Sequence, residues 1–379
     1  MIKIKFRRNL LYLYALYLSY FIRKIIGIII DRVFKLDLSY IYLFSMTLGE
    51  ALGGLSVFIY HNLYFQRKKE VKYFGINLIY NKIELLADDG VIKKLVLIIF
   101  AGSFDIFEFI FAVFCIPKIA DTSPTIKTRL GYLTTIISCF ICAHAFGFRI
   151  GKHHKFSLIC LSICFFMTLF FEFLFKPDDQ PLDRFIFAHF LYIIILLITS
   201  CNDCIERYLA HYDYVNPFKV LMYEGIYETI FAICYSINKD PFRGIIDGYE
   251  KNNIGTFILL IVILIIYFVL CGVVNIYKVY CNVVYNPIAR SLTEYFMNPL
   301  INIYYFIDRN DFHGDYLFFC ISEIICLFMD FTFYLFNECL VLFCCGLEHD
   351  TRDEIHKRSE YPDLIHMLTF EEDDITSFL

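Results

Sequence analysis

The stretch NPFKVLMYEGIYETIFAICYSI, residues 216–237, decides how the rest of the chain is interpreted. It is apolar over about 20 residues, the length that an α-helix needs to cross a bilayer. Glu224 and Glu228 lie four positions apart in it, so a helix places both carboxyl groups on one face. A carboxylate at membrane depth costs about 3 kcal/mol or more, and such residues face the bundle interior or a wet cavity. The stretch therefore predicts a membrane helix with a polar, functional face.

The composition also indicates a membrane protein. Of the 379 residues, 59% are hydrophobic, whereas soluble domains contain about 45–50% apolar residues. The apolar residues fall in runs of about 20, a pattern typical of polytopic helical membrane proteins. The formal net charge of −5 is too small to indicate a nucleic-acid partner. We therefore expect an all-α protein in a lipid bilayer that binds no nucleic acid.

The apolar runs predict about ten transmembrane helices. The first run follows a basic N-terminus, and we interpret it as a retained helix because no small-residue cleavage site follows it. The last run is long for one crossing, which predicts a helix that tilts or extends past the membrane. The ten predicted spans are 10–30, 39–60, 94–117, 130–148, 156–175, 185–205, 217–237, 256–277, 292–308 and 316–346.

Basic residues in the loops predict the orientation of these helices. Cytoplasmic loops are enriched in Lys and Arg, and the second loop is the most basic in the chain, whereas the fifth loop, KPDDQPLD, is mostly acidic. This alternation predicts that both termini are cytoplasmic and that the number of helices is even. The basic residues that favour this orientation are Arg67, Lys68, Lys69, Lys72, Lys82, Lys93 and Lys94 in the second loop, Arg149, Lys152 and Lys155 in the fourth, and Lys278 and Arg290 in the eighth.

The predicted membrane domain covers residues 1–346 and divides at the acidic loop 176–184. Its halves, 1–175 and 185–346, would each hold five helices. Because five is odd, the two halves would have opposite orientations, as in the inverted repeats of secondary transporters. Residues 347–379 are polar and mixed in charge, and we expect them to form a disordered cytoplasmic tail.

Acidic residues in the middle of the predicted spans are the candidate ligands for a solute or ion. Apart from Arg23 and Lys24, no basic residue lies at membrane depth in the predicted spans to neutralise them. An acidic cavity suits a proton, a cation or an amine, whereas a phosphate group would favour Lys or Arg. The alternative is that each acid bonds a local hydroxyl group or stays protonated. The candidates are Glu50, Asp105, Glu108, Glu224, Glu228 and Asp330.

Motifs for enzymatic chemistry are not found in the sequence. It contains no glycine-rich phosphate loop, no G-x-S-x-G and no H-E-x-x-H. Cys201 and Cys204 form a C-x-x-C pair without a second pair at zinc-finger spacing. We therefore expect no enzymatic activity, no cofactor and no metal centre.

Three parts of the chain resemble the drug/metabolite transporter superfamily, especially its nucleotide-sugar-transporter-like branch. They are RLGYLTTIISCFICAHAFGFRIGKHHKFSLICLSICFFMTL, then CNDCIERYLAHYDYVNPFKVLMYEGIYETIFAICYSI, and the closing runs YNPIARSLTEYFMNPLINIYYF and MDFTFYLFNECLVLFCCGLE. The resemblance implies ten helices in two inverted halves with both termini cytoplasmic. The chain departs from nucleotide-sugar carriers in two ways: it lacks their Gly/Lys-rich motif in the tenth helix, and its mid-span acids are unusual for an anionic substrate. No site residue is therefore transferred from that family.

These features predict a multi-pass transporter that moves a small solute by alternating access, coupled to a proton or cation. Its location would be an endomembrane (Golgi, ER or vesicle) or the plasma membrane. One alternative is a seven-helix chemosensory receptor or channel, which would have its termini on opposite sides. Another is a non-transporting scaffold that recruits partners through its acidic tail.

Overall fold

We describe the fold from a computed structural model. It describes residues 2–4, 11–65, 72–73, 76–77, 91–120, 126, 130–147, 150–176, 180–211, 213, 215–285, 287–295, 299–300, 302–303, 315–351 and 354. Most of the second loop, much of the predicted ninth span and residues 355–379 of the predicted tail lie outside these ranges.

The described chain is predominantly helical. Within it, seven helices are long and apolar enough to cross a membrane, which indicates an integral multi-pass membrane protein. The helices are α1 (Leu11–Phe34), α2 (Ser39–Phe65), α3 (Val91–Ile110), α4 (Tyr132–Ala145), α5 (Lys152–Leu174), α6 (Leu182–His211), α7 (Pro217–Ser236), α8 (Arg243–Lys251), α9 (Ile254–Val284), α10 (Pro287–Tyr295) and α11 (Tyr316–Phe336). The seven long apolar segments are 11–34, 39–60, 92–119, 152–174, 182–210, 254–283 and 316–336.

Short strands accompany the helices. Strand β1 (Ile2–Ile4) pairs antiparallel with β4 (Leu340–Leu342), and β2 (Lys72–Tyr73) pairs antiparallel with β3 (Ile76–Asn77). Helix α3 continues through a π-helical turn at Phe111–Cys115 into a last helical turn at Ile116–Ile119.

The chain forms two compact units, and each combines segments that are distant in sequence. Unit 1 contains Met1–Leu13, Ile110–Cys204 and Val284–Leu379, and unit 2 contains Tyr14–Phe109 and Ile205–Val283. These units group the chain differently from the predicted halves 1–175 and 185–346, and the inverted repeat stays a prediction.

In unit 2, glycine brings α2 and α7 into backbone contact. A Cβ atom on Gly54 would lie 2.6 Å from the backbone nitrogen of Met222, and one on Gly225 would overlap the backbone of Ala51. Small residues allow this close approach in membrane helices. Since position 54 meets 222 while position 51 meets 225, the two helices run antiparallel.

Helices α9 and α3 pack beside this pair. Gly49 faces the carbonyl of Phe268 and Gly53 faces the carbonyl of Gly272, so α9 runs parallel to α2.

Helix α3 packs against α7. The hydroxyl groups of Ser103 on α3 and Tyr227 on α7 are 3.0 Å apart. The rings of Phe107 and Phe231, one turn further along, are 6.2 Å apart. Helices α3 and α7 are therefore parallel to each other.

In unit 2, the start of α3 lies beside the end of α6. Lys93 donates a hydrogen bond of 2.8 Å to Tyr208, and Ile98 packs in a core with Leu209. In unit 1, Ile116 packs in a core with Ala188 and Tyr192 from the first part of α6.

In unit 1, α5 and α11 run antiparallel. The His154 ring at the start of α5 lies 4.6 Å from that of Phe336 at the end of α11. Beyond the other end of α5, the Phe175 ring stacks 5.0 Å from that of Phe318. A core of Cys, Leu, Ile and aromatic residues fills the space between α4, α5, α10 and α11.

A buried ion pair joins α6 to α10 in unit 1. Arg290 contacts the carboxylate of Asp203, and both side chains are buried. The hydroxyl groups of Thr135 and Ser291 lie 2.8 Å apart beside it, which ties α4 to α10. The prediction of a loop at Arg290 is wrong, because Arg290 lies in the short helix α10, which no apolar run marks.

The predicted tenth span, 316–346, is wrong in its second part. Helix α11 ends at Phe336 with Asn337 as its C-cap, and Glu338 then adopts a positive φ of 55°. This backbone conformation stops a right-handed helix. The apolar residues that follow form β4 instead. The carboxylate of Glu338 lies 3.4 Å from His153 Nε2 in a buried contact.

We predict that Gly225→Ala destabilises the protein, although alanine is the better helix former. The new methyl group would meet backbone of α2, which cannot rotate away, and such overpacking costs about 1–3 kcal/mol. The measurement is thermal unfolding in detergent, followed with a thiol-reactive dye because the chain has 15 Cys and no Trp. Gly255→Ala is the matched control, since its nearest atom is a side-chain oxygen 3.5 Å away. Equal stability of the two variants would contradict the close packing of α2 and α7.

Candidate functional site

Five carboxyl groups and a lysine of unit 2 lie within electrostatic reach of one another, and we call them the acidic cluster. The described residues of α2, α3, α6, α7 and α9 contribute to it. Its members are Glu50, Asp105, Glu206, Glu224, Glu228 and Lys278.

Helix α7 carries the two acids from which the sequence analysis started. It begins as its sequence predicts, with Pro217 in the first turn and the Asn216 side chain accepting a hydrogen bond of 2.9 Å from the backbone N–H of Phe218. The helix places Glu224 and Glu228 in the interior, with 2% and 0% of their surfaces exposed. Their burial confirms that this face of the helix does not point to lipid.

Lys278 is the basic residue at the centre of the acidic cluster. Its ammonium group donates a hydrogen bond of 3.1 Å to Asp105 Oδ2 and lies 3.8 Å from Glu206 Oε1. The prediction that only Arg23 and Lys24 could neutralise the mid-span acids is therefore wrong. Lys278 was assigned to a cytoplasmic loop because the apolar run ends near residue 277, yet α9 continues to Val284.

A second set of contacts holds Glu206 in place. The side-chain amide of Asn282 donates a hydrogen bond to Glu206 Oε2. The neighbouring Arg207 donates one of 2.7 Å to the Asn282 carbonyl. The C-terminal parts of α6 and α9 are thus joined by buried polar contacts, and Glu206 is oriented towards Lys278.

Three of the acids converge on one point. One carboxylate oxygen from each of Glu50, Asp105 and Glu228 lies within 4.8 Å of the other two. We call these residues the three-carboxylate group. Glu50 accepts a hydrogen bond of 3.0 Å from the amide of Asn275, and Asp105 is held by Lys278. Two of the three carboxylates are therefore fixed by polar side chains of α9.

Glu224 and Glu228 differ from these oriented acids. Oε1 of Glu224 and both carboxylate oxygens of Glu228 are buried without a hydrogen-bond partner among the described residues. Buried polar groups are nearly always hydrogen-bonded, so an unpaired buried carboxyl group needs an explanation. The alternative that each acid is tied to its own hydroxyl group does not hold for these oxygens within the described chain.

A small cavity adjoins Glu224. Its volume is about 10 Å³, and its polar lining comes from Glu206, Glu224 and Asn282, with Pro217 and Val220 among its apolar walls. A cavity of that volume is near the lower limit for one water molecule. The cluster therefore has a polar space beside Glu224, about 6 Å along the helix axis from Glu228.

The other two candidate residues lie elsewhere. Glu108 is half-buried on α3, three positions after Asp105, and does not belong to the three-carboxylate group. Asp330 lies on α11 in unit 1, where it interacts electrostatically with Glu323. These acids are not distinguishable from the cluster residues by sequence, because hydropathy does not show which helices are neighbours.

The sequence did not point to Glu206 and Lys278 of the acidic cluster, nor to Asn275 and Asn282, which donate hydrogen bonds to Glu50 and Glu206. A signal for three of them was present: Asn275, Lys278 and Asn282 follow a spacing of three and four, which places them on one helix face. That spacing could have extended α9 beyond its apolar run.

The chain was compared with models of known protein families and with curated protein sequences, and neither comparison finds a match.

Proposed function

We propose that this multi-pass membrane protein is a transporter that moves a small solute by alternating access, with a proton or cation bound at the acidic cluster. The observation that carries the proposal is the burial of Glu224 and Glu228 beside other acids, with Oε1 of Glu224 and both carboxylate oxygens of Glu228 lacking a hydrogen-bond partner among the described residues. Ionisable residues inside membrane domains are costly and mark ion pathways, proton relays or ligand sites.

The charges of the acidic cluster favour a positively charged ligand. Lys278 compensates Asp105, but Glu50, Glu224 and Glu228 add further carboxyl groups around it. Buried carboxylates that lack a counter-charge are strongly unfavourable. A proton, a metal cation or an organic amine would relieve this imbalance, whereas an anionic solute would increase it.

The directions of the helices support ten crossings rather than seven. Each crossing reverses the chain, so antiparallel membrane helices are separated by an even number of crossings and parallel ones by an odd number. Helices α2 and α7 are antiparallel, which fits the four crossings α3, α4, α5 and α6. Helices α3 and α7 are parallel, which fits the three crossings α4, α5 and α6.

The same rule indicates a further crossing before α11. Helices α5 and α11 are antiparallel, so an even number of crossings separates them. Helices α6, α7 and α9 supply three, so this rule favours the predicted ninth span, 292–308, much of which lies outside the described residues. The count then reaches ten with both termini on one side, as the resemblance to the drug/metabolite transporter superfamily implies.

Topology is tested with epitope tags at the two termini in sealed, oriented vesicles. We expect both tags to be protected or both to be digested by added protease. A seven-helix receptor would expose one tag and protect the other. That outcome would contradict the proposed ten-helix transporter.

Transport is tested in proteoliposomes that contain the purified full-length chain and a pH-sensitive dye. We expect a panel of small organic amines to cause a pH change inside the vesicles with the wild-type protein. The change should be lost in Glu224→Gln plus Glu228→Gln. The matched control is Glu172→Gln, which neutralises a buried acid of α5 in unit 1. Unchanged transport in the double variant would remove the pair from the mechanism.

A further inference from the structure

We propose that Glu50, Asp105 and Glu228 form a binding site for a hard divalent cation of the Mg²⁺, Mn²⁺ and Ca²⁺ class. This inference deepens the proposed function, on which it rests for its role, because it names the ion that the acidic cluster would take. The expectation from sequence was that the chain holds no metal centre.

The separation of the three carboxylates suits one metal ion. One oxygen from each residue lies within 4.8 Å of the other two. Hard divalent cations bind oxygen at about 2.0–2.6 Å, so two ligands on opposite sides of an ion are about 4–5 Å apart. The three oxygens can therefore surround one ion, with small side-chain adjustments that bring each of them to bonding distance.

Glu228 supplies a second and independent observation. Its side chain has no exposed surface, and both of its oxygens lack a hydrogen-bond partner in the described part of the chain. One of these oxygens faces Glu50 and Asp105. The other two carboxylates are oriented by Asn275 and Lys278. The carboxylates of Glu50 and Asp105 are therefore held in position, and the carboxylate oxygens of Glu228 can bind a ligand without breaking a hydrogen bond to a described residue.

The charges favour a divalent ion over a monovalent one. The three carboxylates carry three negative charges, and Lys278, bound to Asp105, supplies one positive charge. A divalent cation would offset two of these negative charges, whereas a monovalent cation would offset only one.

Further charged and titratable groups lie near the site on neighbouring helices. Glu224 on α7 and Glu206 on α6 add carboxyl groups, and Tyr20 on α1 lies within electrostatic reach of Lys278. Arg207, next to Glu206, is bound to carbonyl groups at the end of α9.

The donor atoms indicate the class of metal. Carboxylate oxygens suit Mg²⁺, Mn²⁺ and Ca²⁺, whereas thiolate and imidazole ligands would select softer ions. The three-carboxylate group contains neither Cys nor His. We therefore assign the site to hard cations.

Glu224 is placed to pass the ion between the cavity and the site. It lines the cavity of about 10 Å³ and lies one turn before Glu228 on the same helix face. It is not one of the three carboxylates that share a point. Its replacement should therefore slow the exchange of the ion more than it weakens binding at equilibrium.

The experiment uses Mn²⁺ as the probe, with the full-length protein in nanodiscs and free Mn²⁺ measured by electron paramagnetic resonance. We expect saturable binding that Mg²⁺ and Ca²⁺ compete away. Glu228→Gln and Glu50→Gln should each weaken Mn²⁺ binding by more than about tenfold, because even the loss of an outer-shell partner costs about 10–100-fold. Glu224→Gln should slow Mn²⁺ exchange, and Glu172→Gln, the matched buried control in unit 1, should change neither quantity.

The outcomes separate this inference from the proposed function. Absence of saturable Mn²⁺ binding, or binding that Glu228→Gln leaves unchanged, overturns the metal site even if amine transport is observed. Specific Mn²⁺ binding without transport of any solute supports the site and overturns the transporter. Size-exclusion profiles identify variants that misfold, and Glu228→Asp keeps the charge, so its binding should fall between those of the wild type and Glu228→Gln.

Discussion

Lys278→Met is expected to destabilise the protein by about 3–5 kcal/mol, since removing one partner of a buried ion pair leaves an uncompensated charge. Lys278 is buried, and its ammonium group contacts Asp105 and Glu206. Methionine keeps the approximate length of the side chain but cannot balance either carboxylate. The expected result is a large fall in the temperature of unfolding in detergent.

The matched control for Lys278→Met is Lys251→Met on α8. Lys251 pairs with Asp247 at 3.2 Å, but its side chain is 65% exposed, and exposed pairs contribute less than about 1 kcal/mol. Adding Asp105→Asn to Lys278→Met should recover part of the lost stability, because it removes the Asp105 carboxylate that has lost its Lys278 counter-charge. If Lys278→Met and Lys251→Met had equal effects, Lys278 would not be the buried counter-charge of the acidic cluster.

Arg290→Met is expected to have a comparable effect in unit 1. Arg290 and Asp203 are both buried and form the ion pair between α6 and α10. Loss of the guanidinium group would leave the Asp203 carboxylate without its counter-charge, again at a cost of about 3–5 kcal/mol. The exposed Arg243 provides the matched control, Arg243→Met, which should leave the stability nearly unchanged.

A double-mutant cycle measures the coupling between Asp203 and Arg290. The variant Asp203→Asn plus Arg290→Met should lose less stability than the sum of the two single variants, because no buried charge is left unpaired. Additive effects of the two substitutions would show that the side chains do not interact.

The sequence was sufficient to predict the class of fold and the key face of α7. Runs of about 20 apolar residues marked the long helices, and the spacing of Glu224 and Glu228 placed them on one side of α7. Lys278 and Arg290 were misplaced for a physical reason. A long basic side chain inside a bundle interrupts an apolar run just as a loop does, and only its partners on other helices distinguish the two cases.

The grouping of the acids could not be predicted for a related reason. Glu50, Asp105 and Glu228 come from three helices far apart in sequence, and their convergence depends on which helices pack together. Asp330 has similar local sequence features yet belongs to unit 1. Helix pairing is decided by surface shape, such as the close approach that Gly225 allows, and hydropathy does not measure it.

The glycines of α2, α7 and α9 have a consequence for the ion selectivity of the proposed metal site. Because main chain meets main chain at Gly49, Gly54 and Gly225, no side-chain rotation can change the spacing of these three helices. The backbone positions of Glu50 and Glu228 are therefore held rigidly by helix packing. A stiff frame discriminates between ions by radius, because Mg²⁺ demands oxygen distances of about 2.0–2.1 Å whereas Ca²⁺ accepts about 2.3–2.6 Å. We expect the preferred ion to change when these glycines are enlarged, even where every carboxylate is retained.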